Sequence, residues 1–272
     1  PPGRSQIRFT TCTLKYNRCE WLTLWEMGEL YEPATVESRP DDDGTLAIET
    51  ENVTAFSIAR DAADNVRIDG SDVIPLIDAA DGRLPDIYFV GGNGGWDLLD
   101  YDNSVAFLDN PQLEKRPNLQ GPIDDAFMQP YVAVRGTGEA WNAAHQAWAD
   151  WSLQRAEAEW DQWMRGKFPV VDDTELTEQQ IAGRNLVLFG DPGSNSLLAK
   201  VLDDLPIEWS REQLTVNGKA YDPATHGLAL IYPNPLNPDR YVVLNSGLTM
   251  HAADFKSSNA WLFPRLGDAA VQ

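Results

Sequence analysis

The sequence predicts an all-β domain followed by an α/β domain. In the first part of the chain, short runs of β-branched and aromatic residues are separated by turn residues, whereas strand-like and helix-like runs alternate in the second part. Between them, the segment DNPQLEKRPNLQGP at residues 109–122 interrupts both patterns. We therefore assign residues 1–115 to the first domain and residues 116–272 to the second.

The first domain is predicted to be a β-sandwich. Its strand-like segments are IRFTTCTL, CEWLTLWEM, ATVESR, TLAIET, VTAFSIA, VRIDG and DIYFVGG. Short strands at this spacing are typical of sandwiches and related barrels. If the residues around Tyr16 form a hairpin turn, Cys12 and Cys19 would face each other across antiparallel strands, where a disulfide is geometrically feasible. Two buried free thiols are equally consistent with the spacing.

The second domain is predicted to contain a mainly parallel sheet covered by helices. The strand PYVAVRG precedes the segment 139–163, which lacks Pro and Gly and is rich in Ala, Glu, Gln and Trp, as expected of a helix. The strand NLVLFG, the helix NSLLAKVLDDLP and the strands LALIYPNP and RYVVLNSG follow. The helix carries its tryptophans on one half of its circumference, which favours packing against the sheet. An exposed aromatic platform for a ligand is the alternative.

The charge of the chain argues against two classes of partner. The 272 residues include 42 acidic and 21 basic side chains, which gives a formal charge of -21. Such an acidic protein repels the phosphates of nucleic acids and anionic lipid headgroups, so we expect no nucleic-acid partner. No run approaches the roughly 18 apolar residues of a membrane span, and we expect no membrane insertion. Because the sequence begins with PPGRSQIRF, we expect it to be part of a longer precursor.

The turn GDPGSNS, which follows the strand NLVLFG, raises the question of nucleotide binding. It has neither the lysine and hydroxyl of a P-loop nor three glycines at dinucleotide spacing, and the carboxylate of Asp191 would repel a phosphate. The turn can instead cap the following helix through Ser194 or Asn195. The alternative is a small-ligand site formed by Asp191, Ser194 and Asn195 at the tip of the sheet.

The segment YPNPLNPDR is a second candidate for ligand binding. Its prolines restrict the backbone and would orient Asn234, Asn237 and Arg240 near the end of the strand LALIY. These residues would form the rim of a ligand site, or the segment is only a connection stiffened by proline.

The sequence contains no recognisable catalytic or metal motif. It has three histidines and no G-x-S-x-G nucleophile elbow, C-x-x-C, H-E-x-x-H or EF-hand loop. We therefore predict no catalytic residue, no metal site and no cofactor in this chain.

Four segments of the chain have distinctive sequences. They are IRFTTCTLKYNRCEWLTL, GPIDDAFMQPYVAVRGTG, DDTELTEQQIAGRNLVLFGDPGSNSLLAKVLDDLPIEW and LALIYPNPLNPDRYVVLNSG. In this order they resemble the C-terminal region of large secreted bacterial proteins of the prolyl-oligopeptidase family of serine peptidases and esterases, of the type abundant in planctomycetes. The resemblance covers most of the chain and is weakest between residues 45 and 110. At the positions of Cys12 and Cys19 the family typically has an aromatic and an apolar residue.

The resemblance implies a role without catalysis. In that family, the α/β-hydrolase domain with its nucleophile and histidine lies upstream of the RFTT segment, so none of its catalytic positions falls on a residue of this chain. We expect an accessory region of an extracytoplasmic, periplasmic or secreted serine hydrolase, whose partner is the upstream hydrolase domain or subunit. It would shape access to the active site or hold a polymeric substrate.

Two other functions remain open. One is a stand-alone small hydrolase that uses Asp191, Asn195, Asn234 and Arg240 at the tip of the sheet. The other is a carbohydrate-binding or assembly module, whose exposed tryptophans or apolar surface would contact a sugar or a second protein.

Overall fold

The chain forms two compact units. The computed structural model describes residue 4 and residues 6–76, 82–92, 95–109, 113–249 and 266–271. The N-terminal unit comprises residues 1–111 and 116–120, and the C-terminal unit comprises residues 112–115 and 121–272. The chain passes between the two units after residues 111, 115 and 120.

The N-terminal unit contains two five-stranded sheets. One has the strand order β1-β4-β5-β7-β8 and the other β10-β9-β6-β3-β2. Neighbouring strands are antiparallel except β5 and β7. The ranges are β1 (Ile7–Thr11), β2 (Arg18–Cys19), β3 (Leu22–Met27), β4 (Ala34–Pro40), β5 (Leu46–Glu51), β6 (Val53–Ala59), β7 (Asn65–Ile68), β8 (Ile74–Pro75), β9 (Asp86–Gly92) and β10 (Gly95–Leu98).

Side chains from both sheets of the N-terminal unit form one hydrophobic core. Each strand contributes the side chains of one face to this core. In β4, for example, buried and less buried residues alternate, because successive side chains of a strand point to opposite faces of the sheet. Its Val36 joins Ile48 of the same sheet in a cluster with Phe56 and Phe89 of the other sheet. The rings of Phe56 and Phe89 are stacked with centroids 5.1 Å apart.

The N-terminal unit also contains a helix that the sequence pattern did not predict. This helix, α1 (Tyr101–Leu108), begins after Asp100, whose side chain accepts a hydrogen bond from the N–H of Asn103. Its Phe107 contacts Trp25 with the ring centroids 6.3 Å apart. The prediction of an all-β region therefore missed one element.

The two cysteines do not face each other across a hairpin, so that expectation is wrong. Cys12 follows β1 in one sheet, whereas Cys19 lies in β2 of the other sheet, and a 3-10 turn at Leu14–Tyr16 separates them. Both are free thiols in the structure. Burial, followed by the neighbouring Glu20, raises the pKa of the Cys19 thiol, which makes its reactive thiolate form scarcer.

The C-terminal unit is built around a six-stranded sheet with the order β12-β11-β13-β18-β17-β19. Its strands β12, β11, β13 and β18 are parallel, while β17 and β19 are antiparallel to their neighbours. The ranges are β11 (Tyr131–Arg135), α2 (Ala143–Met164), β12 (Val170–Asp172), α3 (Glu178–Gly183), β13 (Asn185–Phe189), α4 (Ser196–Val201), β17 (Leu228–Asn234), β18 (Asn237–Leu244) and β19 (Ala269–Val271). A small sheet of β14 (Ile207–Trp209), β15 (Leu214–Val216) and β16 (Lys219–Tyr221) precedes β17. The predicted combination of a β-rich region and an α/β region is confirmed.

The predicted long helix is present as α2. It begins at Ala143 because Asn142 has an extended backbone and its side chain accepts hydrogen bonds from the N–H groups of Ala144 and His145. The buried positions of α2 carry mainly small residues, such as Ala149 and Ala156, rather than the tryptophans. Trp151 is 57% exposed. Among the described residues, no helix has the length and apolar character needed to cross a bilayer.

Candidate functional site

The topology of the sheet places a candidate site at the carboxyl edge of its parallel strands. After β11, the chain forms α2 and adds β12 on one side of β11. It then forms α3 and adds β13 on the other side of β11. Connections therefore diverge between β11 and β13, and open α/β sheets bind ligands in the crevice at such a point. The loops that follow these two strands, residues 136–142 and 190–195, lie at this crevice.

The two loops fill the crevice themselves. The N–H of Gly138 donates to the carbonyl of Ser194 at 2.8 Å. A methyl group on Gly136 would lie 2.7 Å from the Ser194 carbonyl oxygen, and one on Gly193 would lie 2.4 Å from Cδ1 of Trp141. Glycine at these positions therefore permits contact between the loops that any larger residue would prevent.

The carboxylate of Asp191 occupies the position where an anionic ligand would bind. Its Oδ1 accepts hydrogen bonds from the N–H groups of Gly193 and Ser194, each at 2.9 Å. Its Oδ2 accepts from the N–H of Asn142 at 3.0 Å, at the start of α2. Asp191 is 1% exposed. Because the protein supplies its own anion here, a phosphate would meet a buried carboxylate instead of free donors.

The first turn of α4 is likewise satisfied internally. Asn195 is its cap, with Oδ1 accepting from the N–H groups of Leu197 and Leu198 at 3.1 and 3.2 Å. The N–H of Ser196 donates to Asp173 at 2.8 Å. The amide nitrogen of Asn195 donates to the carbonyls of Val134 and Phe189, which ties α4 to two strands. The N–H groups of Ser196, Leu197 and Leu198 therefore all donate within the protein, and none of these three is free to bind a ligand.

Ser194 does not have the surroundings of a nucleophile. Its hydroxyl accepts from the N–H of Asp191 at 3.0 Å and donates to the carbonyl of the same residue at 3.3 Å. A hydroxyl proton held by a carbonyl has no base to receive it, so this serine stabilises the turn.

Sequence reasoning missed Asp173 and Asn245 at this edge. Asp173 follows β12 and accepts hydrogen bonds from the N–H and hydroxyl of Thr137 as well as from Ser196. Burial opposes its ionisation, but these hydrogen bonds hold the pKa of Asp173 below its ordinary value. Asn245 follows β18, and its Oδ1 accepts from the N–H of Gly190 at 2.8 Å. Their position directly after parallel strands is the signal that could have identified both.

His145 of α2 lies buried against this edge. Its Nε2 is 3.3 Å from the amide nitrogen of Asn245, whose orientation is fixed by the bond from Gly190. Because that amide nitrogen is a donor, we assign Nε2 as an acceptor and place the proton of the neutral ring on Nδ1. The rings of Trp148 and Trp209 flank the imidazole in edge contacts, with centroids 5.4 and 5.0 Å away. Burial lowers the pKa of His145.

His226 is the second histidine near this edge. Its Nδ1 lies 2.9 Å from the hydroxyl of Thr225 and 3.1 Å from the carbonyl of Asp222. The Thr225 hydroxyl itself donates to the same carbonyl at 3.3 Å. A carbonyl accepts only, so Nδ1 carries a proton and cannot take one from Thr225. The pair is therefore a turn contact rather than an activated nucleophile. The third histidine, His251, lies outside the described residues.

The prediction that Asn234 and Arg240 lie at the same tip as Asp191 is wrong. The strand β17 is antiparallel to β18, and a tight turn joins them between Asn234 and Asn237. The turn therefore lies at the amino edge of the parallel strands, opposite Asp191. The amide of Asn237 donates to the carbonyls of Ile181 and Ala182 in α3.

The other two residues of that segment are also in contact with the protein. Asn234 is fully buried, and its Oδ1 accepts from the N–H of Leu236 at 3.0 Å. Arg240 donates to Oε1 of Gln129 at 3.0 Å. Across the part of the chain that the structure describes, no group of three or more His, Cys, Asp or Glu side chains is placed to hold a metal ion.

The protonation state of His145 predicts a loss of stability in acid. Because its folded pKa lies below the unfolded value of about 6.5, the unfolded chain binds the proton first as the pH falls. The stability due to the neutral ring is complete above pH ~6.5 and is lost as the pH falls towards the lowered folded pKa. Urea unfolding at several pH values should show this decline, and His145→Phe should flatten it. An equal decline in the variant would contradict the assignment.

No family model, no curated protein and no solved structure matches this chain.

Proposed function

We propose that this chain is a non-catalytic accessory region of an exported serine peptidase or esterase of the α/β-hydrolase type. Its role would be to pack against the hydrolase, to shape access to its active site, or to hold a polymeric substrate. The hydrolase domain or subunit is then its partner, and the compartment is the periplasm or the exterior of the cell.

One observation carries the proposal. At the crevice between β11 and β13, where an α/β enzyme presents reactive groups, Asp191, Ser194 and Asn195 are all engaged in hydrogen bonds within the protein. Groups held in this way cap helices and join loops, and they are not poised for proton transfer to a substrate. The sequence resemblance supports the same conclusion, because it implies a catalytic domain upstream.

A fluorophosphonate probe tests the absence of catalysis. This reagent labels serines that are activated by a base, so we expect no labelling of the folded chain above that of the heat-denatured chain. An active serine hydrolase treated in parallel controls for the reagent. Labelling of a single serine that disappears on denaturation, together with turnover of p-nitrophenyl esters, would overturn the proposal.

The intact mass of the native polypeptide tests the second half of the proposal. We expect a polypeptide much longer than 272 residues, with an active serine in the additional part. A native polypeptide of this length alone, with no hydrolase copurifying, would contradict the accessory role.

We further propose that the N-terminal unit is a β-sandwich. The core shared by its two sheets supports this architecture, and the unit would supply the rigid platform of the accessory region.

A further inference from the structure

The hairpin between β15 and β16 turns through an Asn-Gly pair. Val216 pairs with Lys219, so only Asn217 and Gly218 lie between the two strands. Both have left-handed backbones, with φ values of 50° and 73°. Asn-Gly is a preferred pair for this tight turn, because both central residues need a positive φ. The pair occurs twice in the sequence, but Asn93–Gly94 lies outside the described residues.

The reactive groups of the pair are exposed and make no hydrogen bond. Both residues are exposed. Within the part of the chain that the structure describes, neither the side-chain amide of Asn217 nor the N–H of Gly218 has a hydrogen-bond partner. A methyl group on Gly218 would meet nothing within 4 Å. Water and base therefore reach both the amide carbon of Asn217 and the main-chain nitrogen that follows it.

These two groups can react with each other. The main-chain nitrogen of Gly218, once it has lost its proton to water, attacks the side-chain carbon Cγ of Asn217. A C–N bond forms, the amide nitrogen leaves as ammonia, and the product is a five-membered succinimide. One water molecule then adds to either carbonyl of this ring and opens it to isoaspartate or aspartate. Glycine favours ring closure, because it has no side chain that obstructs the attack.

The turn can open to reach the geometry of the attack. Ring closure requires Asn217 to rotate out of its left-handed conformation, which breaks the pairing at the end of the hairpin. The strands β15 and β16 have three residues each, and β16 is an edge strand of its sheet. Its Lys219 and Ala220 are exposed. Short, exposed ends of this kind open locally at a small cost in free energy.

We propose that Asn217 is a site of spontaneous deamidation and that isoaspartate is its main product. Isoaspartate carries a negative charge and adds one methylene group to the main chain. The lengthened main chain does not fit a two-residue turn, so β16 separates more readily from β15, whose Leu214 is fully buried in the core. The hairpin thus contains a slow chemical switch, which is independent of the proposed accessory role.

Peptide mapping of the folded protein after incubation at neutral pH tests the proposal. Trypsin cleaves after Arg211 and Lys219 and releases residues 212–219, in which Asn217 is the only asparagine. Liquid chromatography with mass spectrometry separates the unmodified, aspartate and isoaspartate forms of this peptide. We expect isoaspartate to exceed aspartate, because hydrolysis of the amide without the ring gives aspartate alone.

Asn195 is the control within the same chain. It precedes Ser196, another small residue, but it is fully buried, its amide oxygen caps α4, and the N–H of Ser196 donates to Asp173. Deamidation at Asn195 requires the C-terminal unit to open, so we expect it to be at least about a hundredfold slower than at Asn217. In urea both asparagines are exposed, and this difference should shrink.

The variant Asn217→Gly keeps a turn that accepts positive φ and cannot form the ring. After the same incubation, the unmodified protein should unfold at a lower urea concentration than fresh protein, whereas the decrease for Asn217→Gly should be smaller. The proposal fails if the folded protein forms no isoaspartate at Asn217, if Asn195 reacts as fast in the folded protein, or if the two proteins lose equal stability.

Discussion

Replacement of Asp191 by alanine should lower the free energy of unfolding by about 4 kcal/mol. The carboxylate accepts three backbone N–H groups, those of Asn142, Gly193 and Ser194, and the residue is almost fully buried. Hydrogen bonds to a charged group contribute more than neutral ones, and the variant leaves buried donors without acceptors. Urea unfolding followed by tryptophan fluorescence measures the change.

The matched control is Asp203→Ala, which removes an exposed carboxylate from the same unit. We expect it to change the free energy of unfolding by no more than about 0.5 kcal/mol. The loss of unfolding free energy for Asp191→Asn should lie between the losses for Asp191→Ala and Asp203→Ala. The amide keeps one acceptor oxygen, but its NH₂ group presents hydrogens to backbone donors. A loss below ~1 kcal/mol for Asp191→Ala would mean that the carboxylate does not hold the loops together.

Replacement of Gly136 by alanine should destabilise the C-terminal unit by about 3 kcal/mol. The added methyl group would lie 2.7 Å from the carbonyl oxygen and 2.8 Å from the carbonyl carbon of Ser194, both of them backbone atoms. Backbone cannot rotate away as a flexible side chain can, so one of the two loops must move. Thermal or urea unfolding of the variant measures the cost.

Gly183→Ala is the control for this substitution. Gly183 is the last residue of α3, and a methyl group there would meet nothing within 4 Å. Alanine also favours the helical backbone over glycine by up to about 1 kcal/mol, so we expect this variant to be as stable as the unmodified protein or slightly more so. If Gly136→Ala and Gly183→Ala changed the free energy of unfolding equally, the loops 136–142 and 190–195 would not be in the close contact described.

The sequence patterns identified most elements of the C-terminal unit because each carries a local signal. The apolar run NLVLFG became β13, and the segment without Pro or Gly became α2. The direction of β17 could not be predicted in this way. It depends on a tight turn at Asn234–Asn237, and the alternation of strands and helices before it suggested a parallel continuation.

The candidate site was predicted in part. Asn195 is a helix cap, a role that depends on neighbours within three residues and is visible in the sequence. Asp173 and His145 were not identified, because their partners Ser196 and Asn245 are distant in sequence. Interactions of this kind arise only when separate strands bring their ends to the same edge of a sheet.

The buried carboxylate of Asp191 has a further consequence for protein engineering. Three main-chain amides from two loops converge on it, so an Asp191→Gly protein that still folds would retain a latent receptor for formate or acetate. An edge that contains its own anion is thus a single substitution away from one that recognises a soluble anion.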